Sequence, residues 1–201
     1  MLFRSGREKA GIFRGDKSAI CSDPHPPATV LEYAEEIGAT LYIPGRDFNY
    51  QLSEDHWSWQ WDSVIYENLP RPDQYNSCQI QNAAGVLMVL NTLTSKLPIK
   101  AGAIEKGLEN FSLIGRFQML TEGTQIILDV AHNNQSAKML VHNLKQFPNS
   151  GKTHIIIGML KDKDRNSILG ELIEIADYWH TVTISNPRGT DSETIKNELL
   201  D

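Results

Sequence analysis

Three short segments hold the residues whose types and spacing could do chemistry. In Asp129-Val130-Ala131-His132-Asn133-Asn134 an acid and a histidine leave an apolar run just where a helix begins. Ligand sites of open α/β sheets lie beyond the carboxyl ends of strands. There a carboxylate can accept ribose hydroxyls, and an imidazole can move protons near neutral pH. The competing reading makes Asn133 the helix cap and His132 a satisfied loop residue. In Leu113-Ile114-Gly115-Arg116-Phe117-Gln118 an arginine follows a glycine at a strand start. Its guanidinium fork suits paired phosphate oxygens, although a solvated arginine fits the same text. Gly158-Met159-Leu160-Lys161-Asp162-Lys163-Asp164 follows an apolar strand. It reads either as a charged site loop or as a solvated alternation of charge.

Two further segments invite a ligand reading and lose it. Ser150-Gly151-Lys152-Thr153 ends like a phosphate-binding P-loop, but the leading glycine position holds Gln146. The order is also reversed: GKT follows a helix and precedes a strand, whereas a P-loop follows a strand and opens a helix. In His56-Trp57-Ser58-Trp59-Gln60-Trp61-Asp62 a strand puts three indoles on one face. They could stack on bases or on a pterin. The flanking Glu54, Asp55 and Asp62 repel phosphate, so packing is the expected role.

The elements that must position these residues follow from periodicity. Lys17 to Pro44 reads strand, helix (Ala28–Ile37), strand. The Trp strand takes Val64–Tyr66 as hairpin partner, and helices follow at Asn76–Leu93 and Lys100–Asn110. Then come strands Phe117–Leu120 and Gln125–Val130 around a Thr121-Glu122-Gly123 turn, and a helix Asn134–Phe147. His154–Met159 reads as a strand buried on both faces, followed by helix Asn166–Ala176, strand Thr181–Ile184 and helix Ser192–Leu200. Strands alternating with helices predict a mostly parallel α/β sheet with right-handed crossovers after a boundary near Asn110–Ser112.

Composition narrows the class. The 201 residues carry 19 basic and 25 acidic side chains, a net charge of −6, which argues against general nucleic-acid or anionic-membrane binding. The longest apolar run, Ala83–Leu90, is too short to span a bilayer, and no signal-peptide pattern is visible. Two isolated cysteines, Cys21 and Cys78, make neither a disulfide framework nor a metal knuckle. A reducing cytoplasm is the expected compartment.

Taken in order, GREKAGIFR (6–14), QNAA (81–84), GRFQ (115–118), DVAHN (129–133), GMLKDKD (158–164) and NPRG (186–189) resemble the dihydrofolate synthase/folylpolyglutamate synthase family of the Mur-ligase superfamily, in its bacterial bifunctional form. The resemblance implies an ATP-dependent amide ligase that activates a carboxylate of dihydropteroate or a folylpolyglutamate as an acyl phosphate. L-Glutamate then attacks. It further implies that Lys9 is carboxylated to a carbamate that holds magnesium, that Asn82, Arg116 and Asp129 bind ATP, and that His132 lies near the reacting groups. Magnesium, with potassium as a further cation, is the implied metal. Two departures, Ile114 and Asn134 where the family usually has proline, leave those residues in place.

The family's P-loop, upstream magnesium ligands and pterin segments precede GREKAGIF, and a last strand follows the text that ends at Asp201. The expectation is therefore an internal fragment: the tail of the ATP-binding domain (1–111) and most of the glutamate-ligase domain (112–201), inactive alone and prone to self-association, whose parent is a monomer. A non-catalytic folate- or nucleotide-binding module, or a Mur-type ligase acting on another acid, are the alternatives.

Overall fold

The computed structural model describes residues 2–72, 77–147 and 150–200. The chain forms a mixed α/β structure of two compact units, residues 1–112 and 113–201.

The first unit begins with helix α1 (Leu2–Ala10). A strand–helix–strand follows, β1 (Ser18–Ile20), α2 (Ala28–Glu36) and β2 (Thr40–Tyr42). β1 and β2 pair in parallel, Ala19 opposite Leu41. The next three strands, β3 (Asn49–Leu52), β4 (His56–Trp61) and β5 (Val64–Pro70), form an antiparallel meander with β4 in the middle. Helices α3 (Ser77–Leu93) and α4 (Ala103–Glu109) complete the unit. Strand β3 was not expected from the sequence, because Asn49-Tyr50-Gln51-Leu52 lacks a strong apolar period; its ladder with the Trp strand supplies what its own pattern does not. The expected first residue of α3, Asn76, lies outside the described residues.

The tryptophans decide what β4 is for. Trp57 and Trp59 are buried with Phe48 and Leu69 against Ile80, Ala84, Leu87 and Met88 of α3. The Trp59 indole N–H donates to Ala84 O (3.1 Å), and that of Trp57 to Pro70 O (3.1 Å). Trp61, half-buried, meets Tyr42 edge-on at 6.0 Å. Each buried indole has its polar atom satisfied and its faces covered, so WSWQW is a core strand and presents no stacking platform.

The second unit opens with a tight hairpin, β6 (Gln118–Glu122) and β7 (Thr124–Leu128), whose strands run up to Gly123 on both sides. Helix α5 (Asn134–Gln146), strand β8 (His154–Ile157), helix α6 (Arg165–Leu172), strand β9 (Tyr178–Thr181) and helix α7 (Ser192–Leu200) follow. β8 and β9 pair in parallel, His154 opposite Tyr178 and Ile157 opposite Thr181. β9 therefore starts three residues before the expected strand at Thr181. Both Asp177 and Tyr178 donate their N–H to Thr153 O, which fixes the register at that point.

The expectation that His154–Met159 is buried on both faces is corrected. Ile155, Ile157 and Trp179 pack with Ala137 and Val141 of α5, Ile168, Leu169 and Leu172 of α6, and Ile195 of α7. The opposite face is open, and Ile156 is 74% exposed. Together with exposed Ile126, Leu128, Val130 and Val182, it gives this unit an apolar surface that water covers poorly. Concentration-dependent self-association of the chain is expected. Size-exclusion chromatography across a wide concentration range checks it, and a constant monomer elution volume would count against it.

No helix among the described residues is long and apolar enough to cross a membrane.

Candidate functional site

In the second unit the two segments Gly115–Gln118 and Asp129–Ser136 are joined by a dense set of hydrogen bonds. Asp129 accepts from Phe117 N–H on Oδ2 and from Ala131 N–H on Oδ1, each at 2.8 Å. Val130 N–H donates to Gly115 O (2.9 Å), and Gly115 N–H donates to the Gln118 side-chain oxygen (3.0 Å). Gly115 has φ +69°, and a Cβ there would stand 2.9 Å from Val130 Cγ1. Only glycine fits both the backbone and the space.

Phe117 is the unexpected member. Its φ is +50° although it is an aromatic residue, and it is only 2% exposed, with its ring edge-on to Phe147 at 6.2 Å. A left-handed backbone costs a non-glycine residue about 1–2 kcal/mol. Ring burial and the carboxylate hold it there. Arg116, between these two left-handed residues, is exposed and makes no ion pair among the described residues. The turn thus presents a free guanidinium on a fixed backbone.

His132 follows on the same segment. Its Nδ1 lies 3.0 Å from Val130 O, which can only accept, so in the neutral ring Nδ1 carries the proton and Nε2 holds the lone pair. Its N–H donates to Ser136 Oγ (3.1 Å). Asn133 caps α5: its side chain accepts from Ser136 N–H (2.9 Å), and Asn133 N–H donates back to Ser136 Oγ (3.1 Å). Asn133 thus satisfies the helix end and leaves the outer imidazole nitrogen of His132 available. Asn134, where the family usually has proline, donates from Nδ2 to Ser167 O (3.3 Å) and Glu171 Oε1 (3.1 Å), tying α5 to α6.

A second cluster joins GMLKDKD to NPRG. Leu160 bridges Gly189, Lys161 N–H donates to Arg188 O (2.8 Å), and Thr190 N–H donates to Met159 O (3.0 Å). Arg188 reaches both oxygens of Asp162 from one nitrogen, at 3.2 and 3.1 Å. These bonds hold the Asp162 carboxyl below the ordinary carboxylate range. Lys163 also pairs with Asp162 (3.6 Å), Lys161 Nζ donates to Pro187 O (3.4 Å), and Asp164 caps α6, accepting from Ser167 Oγ (2.7 Å). The pairing of Arg188 with Asp162 joins positions 26 residues apart, which no local pattern could disclose.

The GKT segment is structural. Lys152 Nζ donates to Asp177 Oδ1 (2.7 Å), and Thr153 N–H donates to Oδ2 (2.8 Å). Those two bonds lower the Asp177 pKa. The lysine that would serve a P-loop fastens the start of β8 to the start of β9.

In the first unit the sequence motifs resolve into one face that packs and one that does not. Gly6 and Ala10 are buried on α1, and a Cβ on Gly6 would stand 2.5 Å from Thr29 Oγ1 of α2. Arg7 pairs with Glu36 (2.9 Å) and lies 5.0 Å over the Tyr33 ring. Lys9 is left exposed, with no ion pair among the described residues. In α3, Gln81 Nε2 donates to Ser22 O (2.7 Å), and a Cβ on Gly85 would stand 2.0 Å from Ser22 Oγ. Asn82, beside them, is exposed. Arg116, Asp129 and His132 are thus brought together in the second unit, whereas Lys9 and Asn82 belong to the first.

Residues 115–201 match the family model described as Mur ligase, glutamate ligase domain. Over nearly all of its length the chain is similar to the dihydrofolate synthase/folylpolyglutamate synthase of Escherichia coli K12, with 37% identity over 194 residues, covering 96% of this chain and 44% of the relative. The solved structure "E.coli FolC in complex with DHPP and ADP" is 36% identical with a TM-score of 0.89, covering 99% of this chain and 47% of that one. A bifunctional folylpolyglutamate synthase/dihydrofolate synthase from Yersinia pestis, complexed with AMPPNP and a Mn ion, is 38% identical with a TM-score of 0.88, covering 99% and 47%. The resemblance carried by the ordered motifs holds across the chain, which spans less than half the length of the relatives it matches.

Proposed function

We propose that the chain is part of an ATP-dependent ligase that joins L-glutamate to dihydropteroate and to the terminal glutamate of folates. The acceptor carboxylate takes the γ-phosphoryl group of ATP, releasing ADP. The glutamate amine then displaces phosphate from the acyl phosphate, giving the amide.

The observation that carries this reading is the welded turn. Arg116 stands free between Gly115 and Phe117 while Asp129 fixes the backbone beneath it. A guanidinium held this way suits a phosphate, because little side-chain or backbone order remains to be created on binding. Each Asp129 oxygen accepts one N–H and keeps capacity for a ribose hydroxyl. His132 Nε2 offers a lone pair to a proton leaving the attacking amine. Asn82 is the proposed nucleotide contact of the first unit. The cytoplasm is the proposed compartment, consistent with Cys21 and Cys78 not being joined in a disulfide.

The metal is a different matter. Among the described residues no three His, Cys, Asp or Glu side chains gather to hold an ion. Lys9 as an ammonium repels a cation, and as a carbamate it supplies oxygen ligands from a single side chain. Magnesium asks for six oxygens. The residues present do not make that site by themselves, and Lys9 is proposed as a contributor only.

Titration calorimetry with a non-hydrolysable ATP analogue tests the reading. Saturable binding is expected, with affinity weakened at least about tenfold by Arg116→Ala, the scale of one lost charge-assisted contact. Absence of saturable binding, or affinity unchanged in Arg116→Ala and Asp129→Ala, would sink it. Phosphate release with ATP, glutamate and dihydropteroate then separates a chain that turns over from one that only binds.

A further inference from the structure

The open face of β8 and β9 carries a pair of histidines outside the site described above. His154 Nδ1 and His180 Nε2 are 3.0 Å apart, with the two rings 11° from parallel and 5.3 Å between centroids. Two imidazoles at that nitrogen distance and that centroid separation lie side by side, nitrogen facing nitrogen. The parallel register produces this arrangement. His154 stands opposite Tyr178 and Ile156 opposite His180, so the histidines are diagonal neighbours on one face. Tyr178 stacks on His154 at 4.6 Å and steadies its ring. Both histidines are exposed. The nearest charges compensate each other, since Lys152 is paired with Asp177 at 2.7 Å.

We propose that His154 Nδ1 and His180 Nε2 form a two-nitrogen chelating site for a borderline divalent transition-metal ion: zinc, nickel or copper. Imidazole suits these ions, with metal–nitrogen bonds of about 2.0–2.1 Å for zinc. Two such bonds meeting at about 90–110° place the nitrogens roughly 2.9–3.4 Å apart. The observed separation of 3.0 Å falls in that range. In the hydrogen-bonded pair one facing nitrogen carries a proton. Chelation needs both facing lone pairs, which a tautomeric shift to the outer nitrogen supplies without loss of a proton. Because nitrogen faces nitrogen, each ring turns by roughly 40–45° off that line to aim at the ion; both rings are exposed, and χ2 is a broad torsion for histidine. Water fills the remaining positions, so the site is open and exchangeable. Nothing in the ligase reading uses this pair.

The test uses the tag-free 201-residue chain titrated with nickel chloride, because four other histidines are present and a tag would mask the site. One EDTA-reversible site is expected. His154→Ala or His180→Ala should each weaken it at least about tenfold, since even an outer-shell loss costs that much at metal sites. The double variant should abolish it. Copper-induced quenching of Trp179, which lies between Tyr178 and His180, gives a second readout. Undiminished affinity in the double variant, or no EDTA-reversible binding in the parent chain, would overturn the proposal. Glutamine at both positions replaces alanine if circular dichroism shows an alanine variant to be unfolded.

Discussion

Gly189→Ala is expected to lower the stability of the second unit by about 3 kcal/mol, the upper end of the usual cost of forcing an extra carbon into packed structure. A Cβ at this position would stand 1.8 Å from Ile184 O, 2.7 Å from Ile184 C and 2.8 Å from Ile184 Cβ. None of these is the end of a flexible side chain. The backbone turn must open instead, and that turn is closed by Gly189 N–H to Asn186 O (2.9 Å) and Ile184 N–H to Thr190 O (3.2 Å). Opening it also strips Lys161 N–H of Arg188 O. For a unit of this size the loss corresponds to a fall of about 12 °C or more in melting temperature. The internal control is Gly170→Ala in α6. Nothing lies within 4 Å of its would-be Cβ, and the helix interior favours alanine. That change should raise stability by about 0.5–1 kcal/mol. Chemical denaturation of the two variants checks both signs. Equal effects would show that the close approach at Gly189 does not matter.

The contrast between these glycines shows what a sequence can disclose. Helix α5 was legible because Asn133 stands before the apolar period of Ala137, Leu140, Val141 and Leu144. The Trp strand was legible because period two is a local pattern. The role of Trp57, Trp59 and Trp61 followed from the acidic flanks, and the buried indoles agree with it. What the text concealed depends on distant partners. β9 is displaced because Thr153 O, 25 residues from Tyr178, sets where pairing begins. Ile156 looks like every other residue of HIII until one knows which face α5, α6 and α7 cover. In the same way Asp129 was visible as an acid at a strand end. Its grip on Phe117, twelve residues earlier, was not. Nor was the left-handed backbone of Phe117, for which no residue preference gives a hint.

That grip makes Asp129→Asn the most informative change at the candidate site. Both carboxylate oxygens accept a backbone N–H, from Phe117 and from Ala131. An amide keeps one acceptor and turns a donor toward the other N–H. The lost bond was to a charged acceptor, worth about 1.5–3 kcal/mol, and it leaves a peptide donor unpaired. With that bond gone, the backbone cost at Phe117 is no longer offset by the carboxylate, and the turn carrying Arg116 is expected to relax. Asp129→Asn should therefore lower stability by about 2–3 kcal/mol and also lose nucleotide-analogue affinity. Asn134→Ala, which severs only the contacts of α5 to α6, should leave that affinity near the parent value. Phe117 itself provides the check on the backbone. Removing its buried ring is costly in either case, about 3–5 kcal/mol for Phe→Ala. At an ordinary position glycine would then be worse than alanine. At φ +50° the order should reverse, with Phe117→Gly more stable than Phe117→Ala by about 1 kcal/mol. If urea denaturation ranks alanine above glycine, the left-handed turn is not held in solution. The account of how Asp129 presents Arg116 would then fail with it.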